Sequence, residues 1–192
     1  MSPSVHFAEF RSLLRRFAGD RKGVSAIEFA IILPFMLLLY IGGVELGEGY
    51  QVQYQVTETA RTVTDLASQY VSLNASTMSS ILNASSTIIA PYSSSNLTVT
   101  VSQVKVNMGA TNGTVYQWSC SLNGTKRTLN TTVTLPTNLQ APTSTIYLVY
   151  GEVSYPFTPP LGGGISGTIN MNQTAWFYPR LVSSIPWTGA AC

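Results

Sequence analysis

Past Tyr70 the chain has almost no charge, and Lys105, Lys126, Arg127, Glu152 and Arg180 are all the acids and strong bases that remain there. Histidine is nearly lacking as well, His6 being the only one in 192 residues. These absences exclude much. Glu152 is the only carboxylate side chain after Asp65, so this part of the chain has no pair of acids for general acid–base work, and no Ser-His or Cys-His arrangement can form there. A metal site would lack ligands. No G-x-x-x-x-G-K-[ST] loop exists to cradle a phosphate, and no basic stripe exists to neutralise a nucleic-acid backbone. The expectation is a chain that is not an enzyme, uses no cofactor or metal, and binds no nucleic acid.

Cysteine is scarce. Cys120 and Cys192 fit no metal motif. In an oxidising compartment they would form a disulfide tying the C-terminus back to the preceding domain; two separate thiols are the alternative. Such a bridge closes a loop of about 70 residues and contributes on the order of 4 kcal/mol on chain-entropy grounds.

The charge that is present is placed unevenly. Arg11, Arg15, Arg16, Arg21 and Lys22 put five of the ten cations before the first apolar run. That run, FAIILPFMLLLYIGGV at 29–44, is bracketed by Glu28 and Glu45. Counted from Val24 to Leu46, it makes roughly 35 Å of helix at 1.5 Å per residue, enough to span a bilayer. Cations ahead of a span stay cytoplasmic, which sends the rest of the chain to the periplasmic side. A secretory signal peptide would need small residues at a cleavage site beyond the run, and IGGVELGEGY offers no A-x-A match. Pro34 removes one helical hydrogen bond and implies a local kink. Gly42 and Gly43, with Gly47 and Gly49, either let helices pack closely or make a soft joint; each costs about 0.8–1 kcal/mol of helix stability relative to Ala.

Glu28 stands at the mouth of the run, where a charge costs roughly 2.5–3.5 kcal/mol on insertion scales and usually faces a partner. Position alone also fits a hydrated residue at the membrane edge. Residues 20–47, DRKGVSAIEFAIILPFMLLLYIGGVELG, resemble the N-terminus of TadE-like proteins, the pseudopilins of tight-adherence (Flp-type) pili. The shared elements are Gly23, Ala26, Glu28, Phe29, Pro34, Gly42, Gly43, Glu45 and Gly47. The resemblance implies that a membrane prepilin peptidase cuts between Gly23 and Val24. It also implies that the cleaved protein joins other pilin and pseudopilin subunits at an inner-membrane assembly platform. Glu28 would then be the fifth residue of the new chain, able to pair with the N-terminal ammonium of a neighbouring subunit and set axial register.

Beyond the membrane, Val52, Val56, Ala60, Val63, Ala67 and Tyr70 recur at helical spacing. They imply one rod over 24–70, with Glu58–Arg61 and Arg61–Asp65 pairs on its other side. A second helix is expected over 76–89, stopped by Pro91. Strands are expected at 97–106 with a bulge near Ser102, at 115–120, at 128–135 after the Asn123-Gly124 turn, at 145–157, and at 165–181 antiparallel to the one before. TPPLGGG at 158–164 reads as a loop. Tyr116, Trp118, Trp176 and Trp187 are either sheet core or an adhesive tip.

The fold class is therefore α+β, a long anchoring helix followed by a pilin-like head with a short second helix and an antiparallel sheet. The divisions are a cytoplasmic leader at 1–23, a transmembrane helix at 24–46, its periplasmic continuation at 47–70 and a β-rich head at 71–192. Two functions fit. One is a pseudopilin or minor pilin, processed by the peptidase and active in pilus assembly, initiation or adhesion. The other is an uncleaved, single-pass binding module on the periplasmic or outer surface.

Overall fold

The computed structural model describes residues 23–107, 113–136, 139, 144–160, 167–190 and 192. The basic leader up to Lys22, and the 161–164 part of the Gly-rich loop, lie outside them. Helix α1 spans Val24–Ser68 and runs through Pro34; α2 spans Ala75–Ile88. After a 3-10 turn at Ser94–Asn96 come four strands: β1 Thr98–Val106, β2 Thr114–Leu122, β3 Ile146–Phe157 and β4 Ile169–Phe177. They form one antiparallel sheet in the order β2-β1-β3-β4. The architecture is α+β, as the sequence implies. The chain divides into two compact units between Leu46 and Gly47.

In the second unit, the apolar stripe of α1 packs against the sheet as its spacing requires. Val52, Val56, Ala60, Val63 and Ala67 are buried. Tyr70 departs from expectation: α1 ends at Ser68, and Tyr70 lies beyond it, exposed. Thr59 and Thr64 are also buried, their hydroxyls donating to the carbonyls of Gln55 and Ala60 one turn back, so no donor is left unsatisfied against the sheet. The row Val149, Gly151, Val153, Tyr155, Phe157 on β3 faces this helix, and at Gly151 the helix leaves no room for a side chain. A Cβ there would overlap the Thr64 hydroxyl and lie 3.4 Å from the Ala60 carbonyl oxygen.

Helix α2 starts at an Asn74 cap, whose side-chain oxygen accepts from the Thr77 amide at 2.8 Å. Its Met78, Ile81 and Leu82 join the same core. Each fully buried Val, Leu or Met side chain contributes about 1.5–3 kcal/mol relative to exposure.

A second core lies on the opposite face of the sheet, built from Val104, Val106, Tyr116, Leu135, Leu148 and Tyr150. It changes the reading of β1. The shift from Val99 and Val101 to Val104 and Val106 is not a break in β1, which pairs with β3 residue by residue from Thr98 to Val106. The strand serves one core with its odd positions and the other with its even ones. A bulge does occur beside Gln103 and Val104, but the extra residue is Gln117 on β2, since Gln103 faces Trp118 and Val104 faces Tyr116. This is why Tyr116 and Trp118, two apart, point into different cores.

The expected strand at 128–135 is also corrected. Thr131 closes a turn onto the Thr128 carbonyl, Asn130 takes φ 61°, and only a single bridge, Val115 to Thr132, forms along the edge of β2. The segment instead delivers Val133 and Leu135 onto the second core. The ion pairs differ too. Asp65 pairs with Arg180 rather than Arg61, and Glu58 accepts from the Thr62 hydroxyl at 3.3 Å. Because the Arg180 amide also donates to the Ser68 carbonyl, this cation closes the C-terminus of α1, where the helix dipole favours it.

Candidate functional site

The first unit is a stretch of α1 whose chemistry is almost wholly apolar. Gly23 sits in a 3-10 turn immediately before the helix, and Val24 is the first helical residue. Glu28 follows four residues on, exposed, on the same helix face as Val24. Around and beyond it the side chains are bare: Phe29 is 62% exposed, Leu38 68% and Leu39 75%. A contiguous apolar surface of this kind marks contact with lipid or with another subunit. By length and composition α1 can cross a membrane, and none of its most apolar window is buried within the protein. Among the described residues there is thus one N-terminal apolar helix suited to a single-pass anchor.

A Cβ added to Gly42, Gly43 or Gly47 would meet nothing within 4 Å. Among the described residues, close approach does not explain these glycines. Gly49 differs, lying 3.6 Å from the Phe157 ring at its hypothetical Cβ, within the second unit.

In the second unit, the C-terminal tail is threaded between the helices and the sheet. The Leu73 amide donates to the Pro186 carbonyl, and the Thr188 amide to the Leu73 carbonyl at 2.8 Å. Gln103, fully buried on β1, grips the tail with both ends of its amide, donating to Ser184 Oγ at 3.0 Å and accepting from the Ile185 amide at 2.7 Å. The Trp118 indole donates to the Ile185 carbonyl at 2.9 Å, and Lys126 Nζ donates to the Cys192 carbonyl at 2.7 Å. Cys120 and Cys192 end with Cα atoms 5.4 Å apart, the spacing a disulfide needs. The tie through Cys192 was expected from the sequence; the hydrogen-bonded anchorage of 184–188 was not. The sequence signal for those hydrogen bonds is Gln103, an amide buried among the valines of VSQVKV.

Tyr116, Trp118, Trp176 and Trp187 all pack on one core or the other. Tyr116 and Trp118 are buried. Trp187 packs on the first core and Trp176 on the second, where it stacks on Tyr150 with ring centroids 3.9 Å apart. Nearby, Arg127 makes a bidentate pair with Glu152, through Nε at 2.8 Å and Nη2 at 2.5 Å. Hydrogen bonding to Glu152 is the main reason the guanidinium sits above its ordinary pKa. Burial first, and Glu152 second, push the Tyr150 and Tyr116 hydroxyls above the usual tyrosine value. Nothing here is a nucleophile beside a base, and the described residues hold no group of three His, Cys, Asp or Glu side chains placed to bind a metal.

Residues 23–65 match a family model described as TadE-like protein. The resemblance drawn from Gly23, Glu28, Phe29 and the glycines after the apolar run is thereby upheld, over α1 and not the sheet. The match points to a pilus-related membrane protein. No curated protein and no solved structure matches the chain.

Proposed function

We propose that this chain is a pseudopilin or minor pilin of a tight-adherence pilus. In this reading it is held in the inner membrane with its N-terminus cytoplasmic, cut by a prepilin peptidase between Gly23 and Val24, and assembled with other pilin subunits at a membrane platform. The observation that carries the proposal is the placement of Glu28 on α1. It is a carboxylate one turn from the future N-terminus, on the same helix face, beside apolar side chains that stand exposed among the described residues. Leaving an unpaired charge in such surroundings is costly, and the new ammonium of a neighbouring subunit would neutralise it.

The remaining assignments follow from the same reading. Residues 1–23 act as a leader, 24–46 span the bilayer, 47–70 continue into the periplasm and 71–192 form the head. Pro34 bends the span locally. Gly42 and Gly43 serve contacts with neighbouring subunits or flexibility as the subunit leaves the bilayer; their open Cβ positions leave room for either. In the oxidising periplasm Cys120 and Cys192 form a disulfide that fixes the tail, an assignment supported by their spacing.

Glu28→Ala separates the processing and assembly steps. Immunoblots should show the leader removed at the normal rate, while electron microscopy and sheared-pilus fractions should show pili lost or reduced at least tenfold. Normal pili would overturn the pairing role and return Glu28 to the status of a membrane-edge residue.

A further inference from the structure

The sheet face turned away from α1 carries an ordered pattern along β3 and β4. Tyr150 lies in register with Trp176, Glu152 with Thr174, and Ser154 with Asn172. The first row is a stacked aromatic pair. The other two open into a cleft of about 330 Å³ that Thr100 and Arg127 help to line. That volume lies within the range of small-ligand sites.

The chemistry of the cleft narrows its occupant. Its only cation and only carboxylate, Arg127 and Glu152, are spent on each other, so neither an anion nor a cation gains a free counter-charge. An apolar ligand would strip water from hydroxyl and amide groups and return no hydrogen bonds. The side chains of Ser154, Asn172 and Thr174 make no hydrogen bond with any other described residue. They are neutral groups that both donate and accept, set on two adjacent strands. Successive rows lie roughly 7 Å apart, so the pattern runs about 14 Å, more than one sugar ring long.

We infer that this face is a binding site for a neutral oligosaccharide. Its hydroxyls would exchange hydrogen bonds with Ser154, Asn172 and Thr174, and the apolar face of one ring would lie toward the half-buried Trp176, whose partner in the stack, Tyr150, is buried. The site needs neither leader cleavage nor pilus assembly, and stands apart from the reading of α1.

The test uses the full-length protein in lipid nanodiscs, titrated with cellohexaose, maltohexaose and N-acetylchitohexaose. A sulfated heparin fragment is the charged comparison, and calorimetry and tryptophan fluorescence are the readouts. At least one neutral probe should bind saturably. The double variant Asn172→Leu/Thr174→Val should weaken it at least tenfold; both residues are exposed, so the thermal unfolding midpoint should stay within about 3 °C of the parent's. Failure of all three neutral probes, equal binding by the double variant, or binding of the heparin fragment alone would overturn the assignment.

Discussion

Replacing Gly151 with valine should cost the second unit 3 kcal/mol or more, enough to lower its melting temperature by roughly 10 °C or to prevent folding. The position has no slack. A single added carbon meets the Thr64 hydroxyl and presses on the Ala60 carbonyl, and that carbonyl belongs to helix backbone rather than to a side chain that can swing away. The Thr64 hydroxyl is itself held by its bond to the Ala60 carbonyl. Relief would require α1 to lift from the sheet, and with it Val56, Ala60 and Val63, which contribute much of the core. Gly151→Ala should be milder, at about 1–3 kcal/mol. Combining it with Thr64→Ala should recover part of that loss, because the closest obstacle is gone; neighbours in contact are not additive. A Gly151→Val protein that melts like the parent would mean α1 does not lie against β3 as described.

Breaking the tail's covalent tie ranks next. Cys192→Ser should destabilise the second unit by about 4 kcal/mol on chain-entropy grounds, since the cysteines are 72 residues apart in sequence. The folded arrangement should nevertheless persist, because Gln103, Trp118 and Leu73 hold the segment before Cys192 by hydrogen bonds of their own. The expected signature is a lower midpoint in chemical denaturation with unchanged secondary structure. The Cys120→Ser/Cys192→Ser protein should lose little more than either single variant. Non-reducing mass spectrometry of periplasmic material should find the pair joined. Two free thiols there, or a midpoint indifferent to reductant, would contradict the assignment.

Much of this was legible from residue order, for identifiable reasons. The apolar stripe of α1 survives because helical spacing admits one face, and Val52, Val56, Ala60, Val63 and Ala67 are all on it. Strand β3 was legible to within one residue, since strict alternation over such a length has no competing explanation. The gap at Gly151 was visible as a missing side chain; that a helix backbone fills it depends on the tertiary approach of α1, which local pattern does not encode. The change of parity in β1 was misread because a bulge and a second core produce the same spacing in one strand, and only the pairing of β2 separates them. The 128–135 segment alternates well enough for a strand, but Asn130 in the left-handed region turns the chain out of the ladder. Asp65 chose Arg180 over Arg61 because the partner lies at the helix end after folding, beyond the reach of any i,i+4 rule. For the candidate site, the order of Gly23, Glu28 and the glycines carried the family resemblance over 23–65, whereas Gln103 and the polar rows of β3 and β4 acquire meaning only once the sheet is registered.

The central claim is that α1 begins a processed subunit at Val24, and the most direct measurement is the intact mass and N-terminal sequence of the protein recovered from its native membrane and from sheared pili. The account predicts a chain beginning at Val24 in wild-type cells and one retaining residues 1–23 when the prepilin peptidase is absent. A chain that keeps Gly23 in both strains, or a mature N-terminus beyond the apolar run, would contradict it.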